Sequence, residues 1–479
     1  MDDKEKSTEI KGERNRLVRA LPRALSKLGL LDERRGTEAF SLAWPVIITG
    51  GLRVALRLTD FLMVGVAVGA AGVAALGFGF QFFFIGFALA LALSSGTISL
   101  VSQHFGAGEY KKADFVLKQS VWLALMISIP LMVTTWFYAE DMIALLGAEA
   151  NVIRLGGAYL RVLMLGLFFR FFSMISARGF AGAGDTRTPM YIQAFGVPFN
   201  VILNWLLIFG IWRFPELGVL GAGLGTAITN LCVAAIFFAL ILSKRFKARL
   251  RLGGKQWDFT VVKKLFTVSI PLLSMRMART LGRFPFLWIL ATFGTGTVAA
   301  FQVGRRVQLM AMQPAWGFGT AASTLVGQSL GAEKESEAES YGWDTLKIAI
   351  VVMLPIGLLL AIFGGPISGL FADDPEVISL SKLFIYVNAV GVLGYAVNRI
   401  MRGGLRGAGD TRWPLYGNLI GIYGWMLPVS YFFGIKLGYG VPAIFAGILG
   451  SLFIPGVVNL IRFKSGKWKG VSRRLRGVE

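Results

Sequence analysis

Apolar stretches long enough to cross a bilayer as helices alternate with short polar loops from residue 39 to residue 462. An α-helix rises about 1.5 Å per residue, so about 20 apolar residues cover a hydrocarbon core about 30 Å thick. By that measure spans are predicted at 39–66, 70–103, 115–139, 150–176, 188–212 and 217–243. Six more are predicted at 259–293, 297–329, 344–366, 376–401, 413–436 and 441–462. Within a bilayer a helix satisfies every backbone N–H and C=O inside its own segment. The pattern therefore predicts an all-α polytopic membrane protein of about twelve transmembrane helices.

The two sets of six are copies. Gly182-Ala-Gly-Asp-Thr-Arg-Thr-Pro189 recurs 225 residues later as Gly407-Ala-Gly-Asp-Thr-Arg-Trp-Pro414. The same step carries Gln103 onto Gln328, Val73-Ala-Ala onto Val298-Ala-Ala and Val152-Ile onto Val377-Ile. A step of 226 carries Pro45, Arg53 and Arg57 onto Pro271, Arg279 and Arg283. Several motifs sharing one offset mark an internal duplication. With an even number of spans per copy, both copies start from the same side of the membrane. Parallel repeats of this kind predict two six-helix lobes related by a pseudo-two-fold axis along the membrane normal, with the substrate path between them and alternating access by rocking of the lobes. The predicted organisation is a basic arm (1–38), an N-lobe (39–243), a basic connector (244–258), a C-lobe (259–463) and a basic tail (464–479). In the repeated Gly-Ala-Gly-Asp-Thr-Arg-x-Pro loops, glycines suit a tight turn, the Asp a cap, and the Pro the first turn of the next helix. The spacing matches no nucleotide-binding fingerprint.

Charge interrupts the apolar pattern where it is most costly. The first span carries Arg53, Arg57 and Asp60, placed on neighbouring parts of one helix face by spacings of four and three. A charge at the bilayer centre costs about 2.5–3.5 kcal/mol on insertion scales, so such residues mark pathways or buried pairs. Asp60 is the one acid within an apolar segment. Arg57 and Asp60 can pair, exchange partners during transport, or separate as the arginines reach for headgroups. In the second lobe Phe286 falls where Asp60 would, while Arg276, Arg279, Arg283, Arg305 and Arg306 have no acid nearby in sequence.

Composition narrows the class. Hydrophobic residues make up 55% of the 479 and charged residues only 16%, too few for a soluble protein of this length. The formal charge of +22 would suit nucleic acid, but the Lys and Arg sit in the arm, alternate loops and tail. That is the positive-inside pattern, which places both termini in the cytoplasm of a cell inner (plasma) membrane and excludes nucleic acid as a partner. One Cys and one His argue against a disulfide framework or a Cys/His metal site. No cleavable signal peptide is expected. Leu17, Leu21, Leu25 and Leu28 recur at helical spacing among Arg19, Arg23 and Lys27, which predicts a short amphipathic helix on the anionic inner leaflet, or else a disordered basic arm.

Two sixes of spans, a first-span Pro with a later Asp, and the paired Gly-Ala-Gly-Asp-Thr-Arg-x-Pro loops after spans four and ten resemble the multidrug and toxic compound extrusion (MATE) transporters. The resemblance runs over about 39–462. It implies secondary active efflux of an amphipathic organic compound in exchange for H+ or Na+, with no cofactor, membrane lipid and a small organic substrate as partners, and a monomeric chain. It also implies an N-lobe ion site. Asp60 in Thr-Asp-Phe-Leu-Met-Val matches the first-helix acid, Asn200 in Pro-Phe-Asn-Val the fifth-helix Asn, and Thr226 in Gly-Ala-Gly-Leu-Gly-Thr the sixth-helix Thr. Asn204 stands where many relatives carry a second acid, which weakens a sodium cage and leaves proton coupling through Asp60. Movement about Pro45 is the hinge the resemblance suggests.

The arginines bear on cargo. If Arg53, Arg57, Arg276, Arg279, Arg283, Arg305 and Arg306, with Gln81, line the cleft, it repels organic cations and favours a cargo with an anionic group. A flippase for an anionic or lipid-linked molecule is the alternative. A membrane-embedded enzyme would need a nucleophile, base or metal cluster at membrane depth, and the residues for one are missing.

Overall fold

The computed structural model describes residues 18–243, 249–251 and 253–477; Leu17 of the arm and residues 244–248 of the connector lie outside these. Every regular element among the described residues is helical. The order is α1 (18–27), α2 (Glu33–Val68), α3 (Ala70–Gly106), α4 (Tyr110–Ala144), α5 (Ala150–Leu165), α6 (Leu167–Gly182), α7 (Arg187–Phe209) and α8 (Gly218–Leu242). The second half runs α9 (Phe259–Ala291), α10 (Thr295–Ala311), α11 (Gln313–Gly331), α12 (Glu335–Gly369), α13 (Pro375–Gly407), α14 (Arg412–Leu419), α15 (Val441–Lys464) and α16 (Trp468–Arg476). After α14 the helix continues as two π-helical segments, Ile420–Met426 and Val429–Lys436.

Nine described helices are long and apolar enough to cross a membrane, or ten if α5 and α6, bent by 46° at their junction, form one span. The two other expected spans are helical too. The span expected at 259–293 is α9 (Phe259–Ala291), whose arginines lower its apolarity, and residues 297–329 divide at Met312 into α10 and α11 because Pro314 opens the new helix. Pro45 and Pro271, by contrast, lie inside unbroken helices.

The chain forms two compact units, one of residues 48–105 and 109–270, the other of 1–47, 106–108 and 271–479. These differ from the lobe boundaries expected at 39–243 and 259–463. The core of the first unit includes Leu163, Phe171, Ile175 and Phe237, and also takes in Leu250 from the connector and Val262 and Leu265 from α9. The core of the second includes Phe318, Met353, Ile400 and Phe463, and takes in Leu25 and Leu31 from the arm and Ala39, Leu42 and Ala43 from α2. Helices α2 and α9 thus each begin in one unit and end in the other. They change membership at 47/48 and 270/271, beside the paired Pro45 and Pro271.

The arm and tail are packed elements. Leu25 on α1 is buried while Leu28, just past its end, is 71% exposed, so the predicted leucine stripe is divided between the unit and its surroundings. Arg34 donates to Glu337 (2.5 Å) and Arg35 to Asp344 (2.6 Å), tying the start of α2 to the start of α12. The tail helix α16 approaches the same place. Arg473 forms a two-pronged bond to Glu335 (2.7 and 2.8 Å) and Lys469 donates to Glu339 (2.7 Å). Trp468 is 0% exposed, stacks on Phe463 with centroids 4.8 Å apart, and donates its indole N–H to the Phe463 carbonyl.

The first unit repeats this design. Asp114 on α4 accepts from the Arg249 backbone N–H (3.0 Å) and from Arg251 (2.9 Å), while Lys118 donates to the carbonyls of Gly253 and Lys255. Asp114 lies 225 residues before Glu339. The duplication therefore includes the basic segment that follows each six-helix set and the acid that receives it.

The paired loops take the turn the sequence predicts. Gly184 and Gly409 have φ of 86° and 82°, which a side chain would strain. Asp185 accepts from the backbone N–H groups of Arg187 and Thr188 and from the Thr188 hydroxyl, capping α7. In the second copy Trp413 replaces Thr188. Arg462 sits over its ring (5.1 Å) and donates to Asp410 (2.7 Å). Burial pushes the Asp410 carboxyl up, and Arg462 opposes that shift.

The tail helix should be held chiefly by its tryptophan. Trp468→Ala removes a fully buried ring and is expected to cost about 3–5 kcal/mol. Arg473→Ala breaks a partly exposed ion pair and should cost about 1 kcal/mol or less. Thermal unfolding of the purified protein in detergent compares the two; equal shifts would show that the ion pairs hold α16.

Candidate functional site

Helices α2, α7 and α8 bring a chain of polar side chains into the interior of the first unit. Asn204 on α7 donates to the Oδ1 of Asp60 on α2 (2.8 Å) and to the Oδ1 of Asn200 one turn back (3.1 Å). Asn200 in turn donates to the Thr229 hydroxyl on α8 (3.1 Å), and Thr229 donates to the Gly225 carbonyl (2.7 Å). Asn200 is 1% exposed and Asn204 0%. Polar groups this deeply buried require partners, yet the Oδ1 of Asn204 has none in the protein.

The sequence around α8 explains how the chain closes. Gly221, Gly225 and Thr229 recur every four residues and so share one helix face. A Cβ on Gly221 would meet the Leu207 backbone at 2.5 Å, and one on Gly225 would overlap the Asn204 side chain. Small residues on this stripe let α7 and α8 approach closely, as in other membrane helix pairs. Thr229 stands on the stripe and completes the hydrogen bonds. Thr226 stands one residue beyond Gly225, half-buried, and is outside that chain among the described residues. The four-residue glycine spacing is the signal that would have pointed to Thr229.

Asp60 and Arg57 form no ion pair within 4.0 Å among the described residues. Arg57 instead lies over the Phe80 ring, 4.9 Å from its centroid, and Asp60 takes its hydrogen bond from Asn204. Arg53 is half-buried and its Nε is buried without a partner. Gln81 is exposed on α3. Tyr159, buried in the space left by Gly79 and Gly223, lies close enough to feel the charges of Asp60 and Arg57; nothing in its sequence context marked it.

The second unit has a different arrangement. Phe286, the counterpart of Asp60, is buried edge-to-face against Phe301. Arg279 donates twice to the Asn418 oxygen (2.9 and 3.3 Å), and the Nε of Arg283 is buried without a partner. Arg276 is half-buried and Arg306 exposed. Arg305 lines a cavity of about 30 Å³ with Gln308 and Asn388, which are hydrogen-bonded to each other (2.7 Å); that volume suits one water. Of two further arginines, Arg399 escaped the sequence reading, and Arg402, expected in a cytoplasmic loop, lies within α13. Arg399 lies 3.5 Å over the Trp316 ring, and the buried Arg402 approaches the Met275 sulfur. Among the described residues no three His, Cys, Asp or Glu side chains gather as a metal site.

The MatE family model matches residues 45–206 and again 271–432, which repeats at the offset of 226 found for the prolines and arginines. A probable multidrug resistance protein NorM of Thermotoga maritima is 27% identical over 380 residues, covering 78% of this chain and 81% of its own. A protein of the same description from Bradyrhizobium diazoefficiens is 27% identical over 450 residues, 92% of this chain and 94% of its own. Among solved structures, an outward-facing multidrug resistance MATE transporter matches with a TM-score of 0.83 at 20% identity, over 90% of this chain and 97% of its own. A transporter from Pyrococcus furiosus, described for the reverse polarity of its binding pocket, matches with a TM-score of 0.81 at 20% identity, over 92% of this chain and 97% of its own. The likeness to these structures carries the all-α, two-lobe fold, and the doubled family match carries the internal repeat. The chain belongs to the MATE family of multi-pass membrane transporters.

Proposed function

We propose that the chain is a secondary active exporter of small amphipathic organic compounds, driven by protons that bind Asp60. The observation that carries this reading is the hydrogen-bonded chain Asp60–Asn204–Asn200–Thr229 in a single lobe of a MATE transporter. Asp60 is the one acid in the apolar middle of a span of that unit, among the described residues. The NorM relatives are named for multidrug resistance, which supports export of organic compounds. The reverse pocket polarity described for the Pyrococcus furiosus protein means that the fold alone does not assign the charge of the cargo.

A proton suits the site better than sodium. Hard cations replace their water with several carboxylate or carbonyl oxygens. Here there is one carboxylate, and Asn204 turns an N–H toward it where a second acid would offer oxygen. Protonating Asp60 exchanges an acceptor for a donor in a chain whose Asn204 Oδ1 is otherwise unpartnered. That rearrangement at α2, α7 and α8 is the local event coupled to alternating access of the two lobes, with Pro45 as hinge in the helix that carries Asp60. The site is complete within one lobe of one chain, so the protein works as a monomer. It resides in the inner (plasma) membrane, and both termini are cytoplasmic. Arm and tail converging on the start of α12 support their lying on one side.

Two measurements follow. In proteoliposomes, dye export should follow a pH gradient, ignore a sodium gradient imposed alone, and fall at least about tenfold in Asp60→Asn, a barrier change of about 1.4 kcal/mol or more. Unchanged gradient-driven export in that variant removes Asp60 from the mechanism. In detergent, Thr229→Val leaves Asn200 without its acceptor and should destabilise by about 1–3 kcal/mol, whereas Thr226→Val should stay within about 0.5 kcal/mol.

A further inference from the structure

Among the described residues three arginines in the membrane-spanning part of the N-lobe form no ion pair within 4.0 Å, and one acid, Asp60, lies within reach of the charge of Arg57. Arg53 and Arg57 stand one turn apart on α2, and Arg170 stands on α6, four residues past the bend at Gly166. Each lies within reach of the others' charge. Among the described residues none of them forms an ion pair or a side-chain hydrogen bond, and the Nε of Arg53 is buried without a partner. The nearest acid in sequence, Asp60, takes its hydrogen bond from Asn204.

Two of the three are positioned by rings. Arg57 sits 4.9 Å over Phe80 and Arg170 5.9 Å over Phe87. Phe80 and Phe87 are seven residues apart, so both rings stand on one face of α3, about 10 Å from each other. A ring attracts the face of a guanidinium and leaves its N–H edges available. Those edges form the planar fork that holds a carboxylate or phosphate by two parallel bonds. Arg57 is exposed on its unit at membrane depth, where an arginine is tolerated when it faces a water-filled path or a partner.

We propose that Arg53, Arg57 and Arg170 form a recognition site for an anionic group, a carboxylate, sulfonate or phosphate. The proposal rests on the exporter reading above for its assignment of that group to the cargo; the anion site itself stands on the lobe's own geometry. Three like charges with one acid nearby are balanced by an anion supplied from outside the chain, and the two ring-held guanidiniums present their edges to it. Asp60 remains the ion-coupling group, one turn further along α2.

The test is equilibrium binding to the full chain in nanodiscs of phosphatidylcholine, with no gradient present, using carboxyfluorescein as anion and ethidium as cation. Carboxyfluorescein should bind saturably and weaken roughly tenfold or more in R57Q and in R170Q, the loss of one charge-assisted fork. R57K, which keeps the charge without the fork, should recover part of the affinity. Lys111→Gln, exposed in the first turn of α4, controls for net charge and should leave binding unchanged. Size-exclusion profile and thermal unfolding confirm that each variant is folded. No saturable carboxyfluorescein binding, equal affinity in wild type, R57Q and R170Q, or an equal loss in K111Q overturns the site. Ethidium binding that weakens in R57Q as carboxyfluorescein binding does would also overturn it. A second arm adds phosphatidylglycerol. Competition with the dye that disappears in R57Q makes the bound anion a lipid headgroup, and its absence makes it a soluble cargo; both results keep the anion site. Because Asp60→Asn is read by gradient-driven export and R57Q by binding at equilibrium, either reading can fail alone.

Discussion

Asn204 uses both of its amide hydrogens at once, one toward Asp60 and one toward Asn200, and the N-lobe site depends on that division. In an interior without water, a donor left unpaired costs about 1–3 kcal/mol, so an amide holding two acceptors fixes three helices together. The geometry is possible because Gly225 leaves room for the Asn204 side chain. Had Gly225 carried a methyl, α7 and α8 would stand further apart and Asn200 would lose Thr229. A backbone requirement for close approach thus decides which polar groups meet, and through them the setting of the one carboxylate. The unpartnered Asn204 Oδ1 is the place in the chain with capacity for another donor, next to the group that can gain a proton.

The same logic of local satisfaction operates at the ends of the two units. Each six-helix set is followed by a basic segment that folds back onto the start of its third span: the connector onto Asp114, the tail helix onto Glu335 and Glu339. In the second unit the start of α2 adds Arg34 and Arg35 to this cluster. The positive residues of the arm, connector and tail are therefore structural, because part of their charge is balanced by acids of the same unit. The pairs are partly exposed, so each contributes little alone, and the buried ring of Trp468 supplies the apolar anchor that holds α16 where they can form.

Much of this was legible along the chain. Apolar length located the helices, since a bilayer dictates span length directly. The repeated loop exposed the duplication because its glycine has a backbone role that no other residue fills. Asp60 stood out as a charge where charge is costly, the family resemblance pointed to Asn200 and Asn204, and the structure joins all three. What was hidden depends on packing between segments distant in sequence. Thr229 rather than Thr226 faces Asn200 because of a stripe that repeats every four residues, visible only once α7 is known to lie against it. The exchange of α2 and α9 between units leaves no mark in hydropathy, since either partner offers an equally apolar surface. Arg57 and Asp60, spaced for pairing, form no ion pair within 4.0 Å among the described residues; Arg57 lies over Phe80 and Asp60 takes its hydrogen bond from Asn204.

The duplication also shows how one scaffold carries two chemistries. Pro45, Arg53 and Arg57 have counterparts in Pro271, Arg279 and Arg283, but Asp60 is replaced by Phe286, which packs edge-to-face on Phe301. An acid at that place in the second unit would be buried against the Phe301 ring; a phenyl ring fills the space and costs nothing in desolvation. The arginines are retained in both halves, yet their surroundings differ. Arg279 is held by Asn418 immediately before the helix widens into its π-helical segment, whereas Arg57 is held only by a ring. Among the described residues Phe286, not an acid, stands one turn beyond Arg283 where Asp60 follows Arg57. The duplication thus leaves the acid in the first copy alone at this position, while arginine is retained at both paired positions in each.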